Sequence, residues 1–277
     1  MIKQITLTLG LAPLLCVPAS AIGFEVLTPH RAVYEIKLRE AEDRSGIKGM
    51  SGRIVYEVQG NECEGISVKY RFVTKIQTDR AQFVTDQQTA TYESADGNEF
   101  YFQTKSFVNE QADQVVQGNA VRGGDTINVT ISKPQERKVE LDNAKFVSSH
   151  LIEIMKGAKA GENFVSQELF DGSGDADTLL SSASVIGKLR ELNEVFAGEN
   201  EEAAQQLEGQ KAWPITLSYF RKIDKGSGEG KPIYTASFML LENGITRKLQ
   251  MKYPDYVLDA ALTDLEMIKS KPCKIEN

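Results

Sequence analysis

Apolar and polar residues alternate with period two along most of this chain. In the first such run Tyr34, Ile36 and Leu38 share one face, while Arg31, Val33, Glu35 and Lys37 share the other. Ile54, Tyr56 and Val58 follow, then Ile66, Val68, Tyr70 and Phe72. A two-residue period places successive side chains on opposite sides of a strand, so these runs predict half-buried β-strands. Asn61 to Gly65 separates the second run from the third, which puts Cys63 in a hairpin turn or at a strand end. Further strands are predicted over Ala81 to Tyr92, Glu99 to Phe107, Ala112 to Val121, Asp125 to Ile131 and Arg137 to Leu141. Turn-forming segments lie between them: Asp96-Gly97-Asn98, Gly123-Gly124 and Ser132-Lys133-Pro134. Short strands at this spacing predict an antiparallel meander.

The period changes after Asn143. From an N-cap at Ser148 or Ser149, Leu151, Ile154, Met155 and Ala158 recur at helical spacing until Gly161 ends the segment. This predicts one amphipathic helix that covers or plugs an open sheet face. A strand is expected at Phe164 to Phe170, followed by a turn at Asp171-Gly172-Ser173-Gly174. Residues 191–211 carry six glutamates and no alternation, and read as a polar, solvated insertion with at most a short helix. Strands return after Trp213-Pro214, with Ile215, Leu217 and Tyr219. Gly226 to Gly230 is glycine-rich, and Tyr234, Ala236, Phe238 and Leu240 follow it. Asn243-Gly244 between two alternating runs is a strong hairpin signal and leads into Ile245 to Met251. Asp255 to Lys269 is read as a strand followed by a helical turn. No boundary divides the chain, so residues 22–277 are expected to form one mainly β domain.

The N-terminus changes the composition that matters. Lys3, an apolar run from Ile5 to Val17, and then Pro18-Ala19-Ser20-Ala21 match a secretory signal cleaved after Ala21. The run is shorter than the roughly 20 apolar residues of a spanning helix. No integral span is expected in the remaining 256 residues, and Cys16 is discarded. Lys3 is the one charged residue removed, which leaves 31 basic against 39 acidic residues and a net charge of −8. This balance argues against a nucleic-acid partner. Cys63 and Cys273 remain. In an oxidising compartment an even pair is most simply a disulfide, the alternative being two buried free thiols. Their distance in sequence excludes a Cys-x-x-Cys redox motif.

Candidate chemistry is sparse. Neither a Gly-x-Ser-x-Gly elbow, nor a P-loop, nor Gly-x-Gly-x-x-Gly opening a helix is present. A serine hydrolase would need His30 or His150 as its base. His150 lies beside Ser148 and Ser149 near a helix start, where a structural hydrogen bond is the commoner role. Asp171, Asp175 and Asp177 form only a loose echo of a calcium loop, without its twelfth-position glutamate, and turn chemistry accounts for them. Two histidines and a committed cysteine pair cannot make a zinc site. Catalytic residues, a metal and a cofactor are therefore not expected.

Several segments resemble the EipB family of alphaproteobacterial envelope-integrity proteins. They are Leu27 to Tyr34, Ser51 to Val58, Cys63-Glu64-Gly65 leading into Tyr70 to Thr74, Phe146 to Gly161 with His150, Asp171-Gly172-Ser173, Trp213-Pro214-Ile215 with Tyr219-Phe220, and Cys273. The resemblance implies a periplasmic protein whose antiparallel strands form an open, spiralling, barrel-like sheet with one or two short helices. It also implies a disulfide from Cys273 back to Cys63. It further implies a non-catalytic part in envelope integrity and stress resistance, as a scaffold or interaction protein with a periplasmic or envelope partner. A second expectation is a carrier that holds a lipid or other apolar envelope component in the curved sheet. The stretch Glu191 to Gln210 departs from the family pattern.

Overall fold

In the computed structural model, residues 23, 27–221, 230–270 and 273 are described. The expected signal, residues 1–21, and most of Gly226 to Gly230 lie outside them. Strands β1 (His30–Ala41), β2 (Ile47–Asn61), β3 (Gly65–Thr78), β4 (Gln82–Glu93), β5 (Glu99–Val108), β6 (Gln111–Gly123), β7 (Thr126–Lys133) and β8 (Arg137–Asp142) form the expected meander. Helix α1 (Val147–Ala160), β9 (Phe164–Leu169), β10 (Leu180–Ile186) and the two-residue β11 (Arg190–Glu191) come next. They are followed by the short helix α2 (Glu201–Gln205), β12 (Lys211–Arg221), β13 (Tyr234–Leu241), β14 (Thr246–Lys252) and β15 (Tyr256–Met267). All lie in one antiparallel sheet of 15 strands, in which β1 pairs with β15 and so joins the first half to the second.

The two edge strands, β8 and β9, are consecutive in the chain and α1 links them. They meet through one residue, Lys145, whose N–H donates to Glu168 O (2.8 Å) and whose carbonyl accepts from Phe170 N–H (2.9 Å). The sheet is therefore curled and clasped at one end rather than closed along its seam. Turn chemistry sets the register as the sequence predicts. Asn61 Oδ1 accepts from the N–H groups of Cys63 (2.8 Å) and Glu64 (2.9 Å). At the Asn243-Gly244 turn, Gly244 has φ +87°, and a Cβ there would also meet Leu27 Cδ2 at 2.7 Å.

Four sequence expectations change. Helix α1 starts earlier than expected and has no side-chain cap of its own. Its N-cap is Phe146, and Ser148 and Ser149 lie in the first turn. Their N–H groups donate instead to Glu93 Oε2 on β4, at 3.0 and 3.1 Å, so a distant carboxylate does the capping. Strand β10 was not expected, because Ser181, Ser182 and Ser184 hide its alternation. The C-terminal helical turn is absent, since β15 continues to Met267 and no helix follows among the described residues.

The fourth change concerns residues 191–211, which are not a solvated insertion. Leu192, Phe196, Ala203 and Leu207 are buried against Tyr34, Met239, Leu258 and Leu262 in the largest core. Strand β14 pairs with β15 only as far as Ala260. Beyond that point the insertion takes its place, with Asn200 N–H on Leu262 O (2.9 Å) and Gln206 Nε2 on Leu265 O (3.1 Å). Arg247 holds it down from β14. The buried guanidinium pairs with Glu199, donates to Glu194 O at 2.9 Å and lies 5.0 Å from the Phe196 ring centre. Five of the six glutamates point outward, Glu199 turns in to meet Arg247, and the hidden apolar positions wedge into the sheet.

Two further cores flank this one. Helix α1 drives Ile152, Ile154, Met155 and Ala158 against Val58, Ile66, Trp213 and Leu217. Phe100, Phe102, Phe146 and Phe170 build the third under β5 to β8, with Phe100 and Phe146 stacked 4.9 Å apart.

Candidate functional site: a tyrosine-walled trough inside the sheet

Register defines which residues face the concave side. Tyr34 is opposite Ile54, and Ile54 is opposite Phe72; Ala32 is opposite Tyr56, and Tyr56 is opposite Tyr70. In the other direction Leu38 is opposite Leu258, Leu258 opposite Met251, Met251 opposite Ala236, and Tyr234 opposite Tyr219. Following this face round, seven of the nine tyrosines point inward: Tyr34, Tyr56, Tyr70, Tyr219, Tyr234, Tyr253 and Tyr256. Tyr92 and Tyr101 alone lie on the outer side.

Four of the inward rings form a row. Centroids step 5.8 Å from Tyr219 to Tyr234, 4.9 Å to Tyr253 and 4.7 Å to Tyr256. Tyr70 on β3 approaches Tyr253 and Tyr234 on β14 and β13, strands four and five places away in the sheet, because the sheet curls. Desolvation raises the phenol pKa of Tyr56, Tyr70, Tyr219, Tyr234 and Tyr253, and Tyr34 is pushed up to about 12 by the same cause. The phenols stay neutral. Tyr34 spends its hydroxyl on Thr246 O at 2.9 Å. The hydroxyls of Tyr70, Tyr219, Tyr234, Tyr253 and Tyr256 have no partner among the described residues, yet none is sealed from solvent. Rings that lie deep in the molecule and still reach solvent line a trough.

The opposite wall is built of hydroxyls and amides. On the same face, Tyr70 is opposite Thr89, Phe72 opposite Gln87, and Thr74 opposite Thr85; β5 adds Thr104 and Ser106. Thr74 and Thr85 hydroxyls lie 2.6 Å apart and those of Thr89 and Thr104 3.1 Å apart. Apart from buried Thr74 these residues are half-buried or exposed, since no helix or insertion among the described residues covers β4 to β6 at this level. Among the described residues, charge lies at the margins, at Asp171, whose field reaches Tyr219, and at Arg221, where β12 ends.

The histidines lie elsewhere in bonding terms. Ser182 Oγ lies 2.8 Å from His150 Nε2 and 3.1 Å from Gln167 O, so the histidine and a backbone carbonyl share one hydroxyl. Burial lowers the His150 pKa to about 4. His30 Nδ1 donates to Thr28 O at 2.7 Å, and its ring lies 5.8 Å from Tyr56. Among the described residues neither histidine touches a carboxylate. Asp171 accepts from Ser173 N–H at 2.9 Å as a turn residue, and Asp177 pairs with Arg137 at 3.1 Å.

Cys63 and Cys273 are joined, with Cα atoms 5.7 Å apart, so the chain's end is fastened to the turn between β2 and β3. The bridge leaves no thiolate beside Glu62 for a metal.

A family model described as EipB-like matches residues 21–269. The chain belongs to the EipB-like family. It is 39% identical over 251 residues to the cell envelope integrity protein EipB of Brucella abortus, an alignment that covers 90% of this chain and 87% of that protein. Its fold matches the crystal structure of a beta-barrel-like protein from Brucella abortus with a TM-score of 0.81 at 37% identity, over 88% of this chain and 99% of that one. This EipB-like chain thus has the expected mainly β, barrel-like architecture. The trough was only half legible in the sequence. Tyr34, Tyr56, Tyr70, Tyr219 and Tyr234 fall on alternating positions, but Tyr253 and Tyr256 do not stand out, and nothing in the spacing says that rings from β3 and β12 to β15 meet.

Proposed function

We propose that this protein supports the cell envelope from the periplasm by binding, without catalysis, and that the trough is where it binds. The observation that carries this reading is the set of inward phenol hydroxyls that reach solvent and have no partner among the described residues. Pockets that bind small molecules combine apolar walls with a few unspent polar groups, and this trough has both. The name of the Brucella relative supports the envelope role, and the export signal supports the compartment.

The test is complementation. In a strain lacking the gene, a variant carrying Tyr234→Ala and Tyr253→Ala should accumulate and fold like the wild type yet fail to restore growth under detergent stress. Full rescue by that variant would remove the trough from the function.

A scaffold reading rests on a different place. Phe164 and Val185, paired across β9 and β10, are 57% and 56% exposed on the outer face beside the free edge of β9. An exposed edge with apolar neighbours is a site for strand addition by a protein partner. Phe164→Asp would abolish rescue under this reading and leave it intact under the first.

A further inference from the structure

The chemistry of the trough walls also selects a class of ligand, and this inference rests on the reading that the trough is the binding site. We propose that the trough binds a neutral oligosaccharide, with pyranose rings laid against the Tyr219, Tyr234, Tyr253 and Tyr256 row and sugar hydroxyls bonded to the phenols and to the Thr89, Thr104 and Gln87 wall.

A lipid tail fits the site poorly. An acyl chain offers no hydrogen bond, so it would strip water from the phenol hydroxyls and from the threonine and glutamine side chains opposite without replacing it. Each polar group stranded in this way weakens binding by about tenfold or more. Most apolar residues of the inner face are already used, although Phe72, Ile76 and Leu249 remain partly exposed. Leu258, Leu262, Ile54 and Met251 are covered by the insertion and by one another, each at 3% exposure or less. What remains open is mainly aromatic on one side and hydroxylic on the other.

An anionic ligand fits no better. Cations of β2, β3 and β5 point to the outer face, where Arg53 pairs with Glu35 and Arg71 with Asp86. Inside, Asp171 and Arg221 at the margin carry opposite charge, and the phenols are held neutral by desolvation. A sugar ring matches such a site because it has a C–H face for an aromatic ring and a hydroxyl rim for donors and acceptors. Four rings follow one another at 4.7–5.8 Å, which suits a polymer better than a single monosaccharide.

Isothermal titration calorimetry of the purified protein with chitotetraose, a neutral β-linked oligosaccharide, and separately with dodecanoic acid decides the matter. Chitotetraose is expected to bind saturably. Tyr253→Ala is expected to weaken it at least about tenfold, and Tyr253→Phe, which keeps the ring and removes the hydroxyl, about threefold. Tyr101→Ala on the outer face should change nothing. Melting curves of each variant separate lost binding from lost fold. Saturable binding of dodecanoic acid with none of chitotetraose would overturn the sugar assignment and keep the trough as a ligand site. Binding of neither probe would overturn both readings, as would chitotetraose binding that survives Tyr253→Ala unchanged.

Discussion

The concave face of this sheet has two fates. At one end of β1 and β12 to β15 it is stopped by the insertion, and Leu258, Leu262 and Leu241 are sealed, whereas Tyr219, Tyr234, Tyr253 and Tyr256 at the other end of β12 to β15 stay half-buried. Along β3 to β6 the strands are as regularly paired, yet Thr85, Thr89 and Thr104 still reach solvent. The difference lies in what stands opposite. Where Leu192, Phe196 and Leu207 arrive, a curved sheet becomes a core; where none of the described residues arrives, the same curvature leaves a trough. Strand formation and core formation are therefore separate decisions in this fold, the first local and the second made by residues distant in sequence.

This contrast can be broken experimentally, and the most forceful way is to cut the tie that holds the chain's end. The Cys63–Cys273 bridge closes a loop of 210 residues, for which chain entropy gives about 5 kcal/mol as an upper figure. Cys273→Ser should lower the denaturant midpoint under oxidising conditions and expose the C-terminal segment to protease. An unchanged midpoint with intact protease resistance would show that the bridge adds nothing.

The plug is next. Arg247→Ala leaves Glu199 buried without its partner, and such a loss costs about 3–5 kcal/mol. By contrast Arg53→Ala, which breaks an exposed pair with Glu35 outside the trough, should cost no more than about 1 kcal/mol. Equal effects in urea denaturation would mean that the insertion is not a structural wedge.

Acid should act on the α1 side. His150 has its pKa lowered from 6.5 to about 4 in the fold, so the unfolded chain binds its proton first. Its contribution is intact above about pH 6.5 and is lost as pH falls towards 4, by roughly 3 kcal/mol in all. Burial raises the Glu93 pKa, so that group opposes the trend: the fold takes up its proton more readily than the unfolded chain. His150→Gln should therefore narrow the difference in melting temperature between pH 7 and pH 5. A difference of the same size in the variant would assign the pH dependence to other groups.

The smallest effect is expected in the trough. Leu258→Ala in the sealed half should cost about 2–5 kcal/mol, because it opens a cavity that cannot be hydrated. Tyr253→Ala should cost only about 1 kcal/mol, because its ring already borders solvent. If Tyr253→Ala proves as costly as Leu258→Ala, the two halves do not differ as described.

Much of the meander could be read residue by residue. Tyr34-x-Ile36-x-Leu38 and Ile66-x-Val68-x-Tyr70-x-Phe72 alternate cleanly because one side of each strand is wet, and the Asn243-Gly244 turn lies where its type demands. Strand β10 escaped notice because serines occupy its inner face, where His150 and Gln167 rather than apolar groups meet Ser182. Ser148 and Ser149 suggested a local cap, but the cap is Glu93, 55 residues earlier. The insertion misled for a related reason. Its apolar residues, Leu192, Phe196, Ala203 and Leu207, stand at helical intervals of four and seven, yet only Glu201–Gln205 is helix and the surrounding glutamates mask the pattern.

By itself, then, the sequence determined the strands, their turns, the amphipathic helix and the cysteine pair, since each depends on a local period or on residue type alone. Only the tertiary structure decided where the curled sheet is plugged and where it stays open. It alone decided that β1 meets β15, that Arg247 finds Glu199, and that tyrosines from β3 and β12 to β15 converge. The physical reason is that a period assigns a side chain to a face, whereas burial depends on what another part of the chain brings to that face.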